Sequence, residues 1–208
     1  MCIASALVIL SLTLPPPTNY DQAFMKILYM NKRIDPVRAE RIADYVARYS
    51  KKLKLDQNLI LSLIYTESHY NEEAIGTSGE FGLMQVMPFW ANKTLCKGLF
   101  LYRTKDNIEC GTQVLRHYID RFDGSVPLGL AAYNRGEYIV RKLLRRGKSP
   151  IHWYVKRILK HKTQLDYIDS IMEAIKSVQE KQEEEKEIEA ISQEDAEGGG
   201  VRGLPPRL

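Results

Sequence analysis

Residues 67–88 read ESHYNEEAIGTSGEFGLMQVMP, with four carboxylates, Glu67, Glu72, Glu73 and Glu80, ahead of a glycine-spaced apolar segment that carries Gln85. Paired carboxylates are the usual apparatus for cleaving glycosidic bonds. The four differ in their surroundings. Ile60, Leu63, Ile64 and Glu67 recur at helical spacing, so Glu67 falls on the apolar stripe of its helix. It also falls at the C-terminal end, where the helix dipole disfavours negative charge. Burial and dipole both raise its pKa, toward an acid that keeps its proton near neutral pH. A general acid acting on a leaving-group oxygen needs that state. A buried glutamate that only ties down the following loop would show the same pattern. Glu72 and Glu73, in the polar NEEA stretch, read as solvated surface charges. Glu80 either tunes Glu67 by like-charge repulsion or faces solvent, and it is assigned to solvent.

Other candidate chemistry is sparse. His69, His117, His152 and His161 show neither HExxH nor CxxC-type spacing, so no metal site is expected, and no cofactor is called for. Of three cysteines, Cys2 lies in an apolar start, leaving Cys96 and Cys110 fourteen residues apart. In an exported protein they read as a loop-closing disulfide; two buried free thiols are the alternative. The run from Arg141 to Lys162 interleaves cations with Trp153 and Tyr154, a pattern that can bind nucleic acid. Its spacing fits amphipathic helices equally well, and nucleic acid is not the expected partner.

The elements that must carry these residues are helical. Asp35-Pro36 reads as an N-cap and first helical position, followed by Ile42, Tyr45, Val46 and Tyr49 on one face. A second helix from about Asp56 is apolar almost all round and should be central and buried. Residues 71–83 read as a loop. Further helices are expected near 105–122, 126–134, 136–146 and 151–161, and another continues from Gln164 with thinning apolar content. The fold class is therefore mainly α, with one core-forming domain at 21–165, a charged C-terminal helix at 166–192 and a disordered tail at 193–208. Residues 1–20, with an apolar run from Ile3 to Leu14, read as a signal peptide or N-terminal anchor. From Glu173 onward there are 10 acidic and 5 basic residues, against 16 acidic and 25 basic before it. A basic body with an acidic tail suits an anionic partner such as cell-wall polymer, although a solvated surface gives the same balance.

The 67–88 stretch resembles the pattern of soluble lytic transglycosylases with the goose-type lysozyme fold, ES-x-x-N-P-x-A-x-S-x-x-G-A-x-GLMQ-x-MP. Matching offsets hold Glu67-Ser68, Asn71, Ala74, Gly79, Gly82-Leu83-Met84-Gln85 and Met87-Pro88. Downstream, Asn107–Gly111 resembles the family's NI-x-x-G helix, Ala131–Gly136 its AYN-x-G element, and Trp153–Leu159 its closing helix. Four elements in order, over about 35–162, carry the resemblance.

That resemblance implies a lysozyme-like, single catalytic domain acting on the peptidoglycan glycan strand. It implies Glu67 as the single acid/base, cleaving the β-1,4 bond between N-acetylmuramic acid and N-acetylglucosamine. The muramoyl 6-hydroxyl would attack C1 and give a 1,6-anhydro product, with no second carboxylate. Tyr133 would point at Glu67 and hold it, while Ser68, Met84, Gln85 and Asn134 would line the saccharide groove. Met87 stands where hydrolytic goose-type lysozymes tend to carry aspartate, which favours transglycosylation. The chain departs from the pattern at Glu72, for proline, at Gly76, for a serine that touches substrate, and at Glu80, for alanine. The expected location is the periplasm or cell envelope, or a virion. Alternatives to the lytic activity are hydrolysis on the same fold, or a wall-binding component of a secretion apparatus or phage particle docked through the C-terminal helix.

Overall fold

The computed structural model describes the backbone over residues 19–198. The expected leader, except Asn19 and Tyr20, and the last ten residues of the expected tail lie outside that range. The chain divides into two units, one of them residues 17–168, and the described part of the other is residues 169–198.

Helix α1 (Asn19–Met30) has no counterpart among the helices expected from sequence. It belongs to the core all the same, with Ala23 and Ile27 fully buried. Helix α2 (Pro36–Leu53) starts where Asp35 accepts a hydrogen bond from the Arg38 backbone N–H at 2.9 Å. Helix α3 (Gln57–Ser68) is capped in the same way by Asp56, from Leu59 N at 2.8 Å. These caps satisfy donors that the first helical turn otherwise leaves orphaned. Leu59, Ile60, Leu61, Leu63 and Ile64 are all 1% exposed or less, so α3 is the central helix its all-round apolarity predicts.

Helices α4 (Thr104–Arg121), α5 (Val126–Arg135) and α6 (Glu137–Arg145) follow. Helix α7 is a single helix, Trp153–Gly198, where sequence suggested two. Its Tyr154, Val155, Ile158 and Leu165 join the core of the first unit. The helix ends at Gly198, past residue 192. Among the described residues there are no strands, only two isolated bridges that pair Phe81 with Ile75 and with Val86. No described helix is long and apolar enough to cross a membrane.

The 69–103 segment carries the sequence motif, and three ties hold it to the helices. Cys96 and Cys110 form a disulfide with Cα atoms 5.1 Å apart, linking a short 3-10 turn to α4. Glu72 is not the solvated charge expected of it. It accepts from Arg41 at 2.9 Å, pairs with Arg38 at 3.1 Å, and accepts from the Thr104 hydroxyl. With its side chain only 14% exposed, this carboxylate staples the loop to α2 and to the start of α4. Glu73 is exposed, as expected. The third tie is Asn107, described below.

Candidate active site

Glu67 lies in the last turn of α3, which ends at His69 in the left-handed conformation (φ 52°). Its carboxyl opens into a cavity of about 240 Å³ lined also by Glu80, Gln85, Met87, Tyr133 and Asn134. Burial pushes the Glu67 carboxyl up to about 7. The hydrogen bond from Tyr154 opposes that rise, and the nearby charge of Glu80 adds to it. The group is thus poised to hold or release a proton near neutral pH.

The hydroxyl that holds Glu67 belongs to Tyr154, not to Tyr133. Tyr154 Oη donates to Glu67 Oε1 at 2.5 Å from the first turn of α7. Tyr133, on α5, lines the cavity but donates to the Met84 carbonyl at 2.8 Å. Burial, and then the Glu67 charge, push both phenols well above their ordinary range, so both stay protonated donors. Sequence could not separate the two tyrosines. Tyr154 is 87 residues from Glu67, and only the folded chain brings it there.

The GLMQ segment is built around Asn107. Its side-chain amide donates to Phe81 O at 2.8 Å and to Leu101 O at 2.9 Å, and its oxygen accepts from Met84 N at 2.9 Å. Gly82 (φ 74°) lies against that amide, and a Cβ there would come within 2.5 Å of Asn107 Nδ2. Gly82 is thus required by both conformation and close approach. Four residues on from Asn107, Gly111 leaves the space that Met84 fills, since its Cβ would meet Met84 Sδ at 2.6 Å. The NIECG and GLMQ motifs are therefore two halves of one packing contact.

That contact decides which expected groove residues reach the cavity. Met84 is fully buried against Gly111, and Ser68 donates to Ile64 O at 3.1 Å and Leu83 O at 2.8 Å. Both hold the loop from behind and are not part of the cavity lining. Gln85 does reach it, in a left-handed conformation (φ 45°) that costs a non-glycine residue energy. Its side-chain amide donates to Ala74 O at 3.1 Å and Gly82 O at 2.9 Å, which leaves its oxygen facing the cavity side near Gly76.

Glu80 is half-buried rather than freely solvated. It lines the cavity, and its Oε2 accepts from Ser78 N at 3.0 Å. A Cβ on Gly76 would lie 2.3 Å from Glu80 Oε2 and 2.7 Å from Gln85 Oε1. The two departures from the family pattern meet in space: the Glu80 carboxylate, with Gln85, occupies the room that a side chain at 76 would need. His152, which the sequence reading set aside, lies at the rim. Its Nε2 is 3.0 Å from Asn134 Oδ1, and its ring stacks on Tyr154 at 5.9 Å and 19°.

Comparison with known proteins defines the fold and the family. The folds of solved structures place the chain in the lysozyme-like class. The crystal structure of the 70-kDa soluble lytic transglycosylase of Escherichia coli matches with a TM-score of 0.57 and 24% identity, over 72% of this chain and 30% of that one. Its complex with bulgecin A matches to the same degree. The model of the transglycosylase SLT domain matches residues 44–155. The chain belongs to that family. Membrane-bound lytic murein transglycosylase C of Edwardsiella ictaluri is 31% identical over 127 residues, 53% of this chain and 35% of the relative. The Shigella sonnei protein of the same name is likewise 31% identical over 127 residues. The chain spans about a third of the length of these relatives.

Proposed function

We propose that this chain is a peptidoglycan lytic transglycosylase of the bacterial envelope. The observation that carries the reading is one half-buried carboxyl, Glu67, titrating near 7 in a saccharide-sized cavity and held by a phenol. In the neutral form Glu67 protonates the glycosidic oxygen between N-acetylmuramic acid and N-acetylglucosamine, and the C1–O bond breaks. As carboxylate it then takes the proton of the muramoyl 6-hydroxyl as that oxygen bonds to C1, closing the 1,6-anhydro ring. The proton given in the first step is recovered in the second, so Glu67 ends as it began. Tyr154 steers the carboxyl and stabilises its charged form between the steps. Gln85 and Asn134 supply polar contacts to the sugar. The names of the relatives, membrane-bound murein transglycosylases, support substrate and envelope location alike.

Hydrolysis is a second reading, because Glu80 puts another carboxylate in the same cavity, where an activated water could be held. Met87, rather than an acid, at the other lining position favours the first reading. Digestion of purified peptidoglycan followed by mass spectrometry of the muropeptides separates the two. Products lighter by one water than the reducing muropeptides are expected, with none from Glu67→Gln. Reducing ends that disappear in Glu80→Ala would establish the hydrolase instead, and activity surviving in Glu67→Gln would overturn both.

A further inference from the structure

We infer that His152 is a positioning residue, whose ring decides whether Asn134 offers its amide oxygen or its amide NH2 to the saccharide. The inference rests on the groove reading above and adds to it a hydrogen-bond polarity. Both ring nitrogens are engaged: Nδ1 lies 3.1 Å from the Pro150 carbonyl, and Nε2 lies 3.0 Å from the Asn134 side-chain oxygen. A carbonyl can only accept, so Nδ1 must carry a proton and donate it to Pro150. A neutral ring then has a bare Nε2, which can only accept.

The partner of a bare Nε2 must be the Asn134 NH2, because an amide oxygen facing it would set two lone pairs against each other. A half-turn of the amide exchanges its two ends without moving the chain. The neutral ring therefore turns the Asn134 oxygen toward the cavity, as an acceptor for a saccharide hydroxyl or N–H. The imidazolium does the reverse: Nε2–H donates to the oxygen, and the NH2 turns toward the sugar. Proton uptake at His152 reverses what the groove wall offers while leaving its shape unchanged.

The groups facing the ring favour the neutral state. Burial lowers the His152 pKa and the Arg135 guanidinium, next to Asn134 on α5, lowers it further, against the bond to Pro150 that raises it. Tyr154 stacks on the ring, and Trp153 meets it edge-on at 6.2 Å. The neutral ring is thus the working form at neutral pH, and acid converts it. Glu67 governs bond cleavage, whereas His152 governs how the sugar is held, so the two titrations fall on different kinetic constants.

Nitrogen NMR of the ring tests the tautomer without any turnover. At pH 7.5 the proton is expected on Nδ1, which is the minority tautomer of free histidine. A proton on Nε2 at that pH would overturn the inference. Saccharide affinity is then measured by calorimetry in the Glu67→Gln background, with a chitooligosaccharide as probe, between pH 5 and 8. Kd is expected to weaken about fivefold as His152 protonates, the worth of one hydrogen bond. His152→Phe keeps a ring over Tyr154 but leaves the Asn134 amide free to turn, so its Kd should no longer change with pH. A pH dependence unchanged in His152→Phe, or a flat wild-type profile, would overturn the inference. An Nδ1–H tautomer with normal titration in a protein that cleaves nothing would count against the proposed function alone.

Discussion

Glu67 is the residue where function and stability oppose each other. Its folded-state pKa of about 7 lies above the ordinary value of 4.5, so the folded state holds this proton more tightly than the unfolded chain does. The stability it contributes is fully present below about pH 4.5 and is lost as pH rises through about 7. Above that, ionisation costs at most about 3 kcal/mol, less for whatever solvent reaches the carboxylate. Glu67→Gln removes that cost. It is expected to raise Tm at pH 8 and to leave it unchanged at pH 4, while activity falls at least about a thousandfold. Calorimetry at the two pH values, with an assay of anhydromuropeptide release, checks both halves. The neighbours should move the alkaline limb of the rate profile in opposite directions. Tyr154→Phe removes a bond that favours the carboxylate, so the limb should move to higher pH, with kcat reduced about tenfold. Glu80→Gln removes a repelling charge, so the limb should move to lower pH. Shifts in the same direction would sink this account. The raised pKa of Glu67 was legible in the sequence, because helical spacing alone placed it on an apolar stripe at a helix end. Its partner was not, because which tyrosine meets it is settled by packing between α3 and α7.

At the scale of elements, the loop between α3 and α4 is held by groups that look like motif letters until their contacts are seen. Asn107 satisfies three backbone groups of the loop from the first turn of α4. Asn107→Ala leaves those groups unpaired and should cost about 3 kcal/mol or more. The helices themselves were largely legible, since the Asp35 and Asp56 caps and the apolar periodicity mark α2 and α3 directly. Helix α1 was not, because Asn19, Asp21, Gln22 and Lys26 interrupt its apolar pattern and its buried face carries only Ala23, Ile27 and a few neighbours. The interlock between Gly76 and Glu80 was visible only as two separate departures from a pattern. It gives a suppression test. Gly76→Ser alone should lower kcat/KM by tenfold or more, because the new side chain meets Glu80 and Gln85 at less than contact distance. Glu80→Ala in the same chain should restore most of that loss. Purely additive effects would show that the two positions do not share the space.

Across the first unit, the site depends on a long irregular segment remaining on a helical core. Ion pairs at Glu72 fasten that segment to α2, and the Asn107 amide and the Cys96–Cys110 disulfide fasten it to α4. Of these, only the cysteine pair could be proposed from sequence, and only on the condition that the protein is exported, because spacing cannot distinguish a bridge from two buried thiols. The disulfide closes a loop of fourteen residues, and such a crosslink stabilises by about 3 kcal/mol, chiefly by restricting the unfolded chain. For a unit of this size that corresponds to a Tm change of about 6–12 °C. Neither cysteine lines the cavity, so loss of the bridge should act on stability far more than on chemistry. Cys96→Ser with Cys110→Ser, or the reduced wild type, should melt about 6–12 °C lower by calorimetry. At 20 °C, where the fold persists, kcat should stay within about twofold of the oxidised protein. Equal Tm in the oxidised and reduced states would show that the segment is held by Glu72 and Asn107 alone. A large loss of kcat with unchanged Tm would show instead that the crosslink positions the catalytic loop.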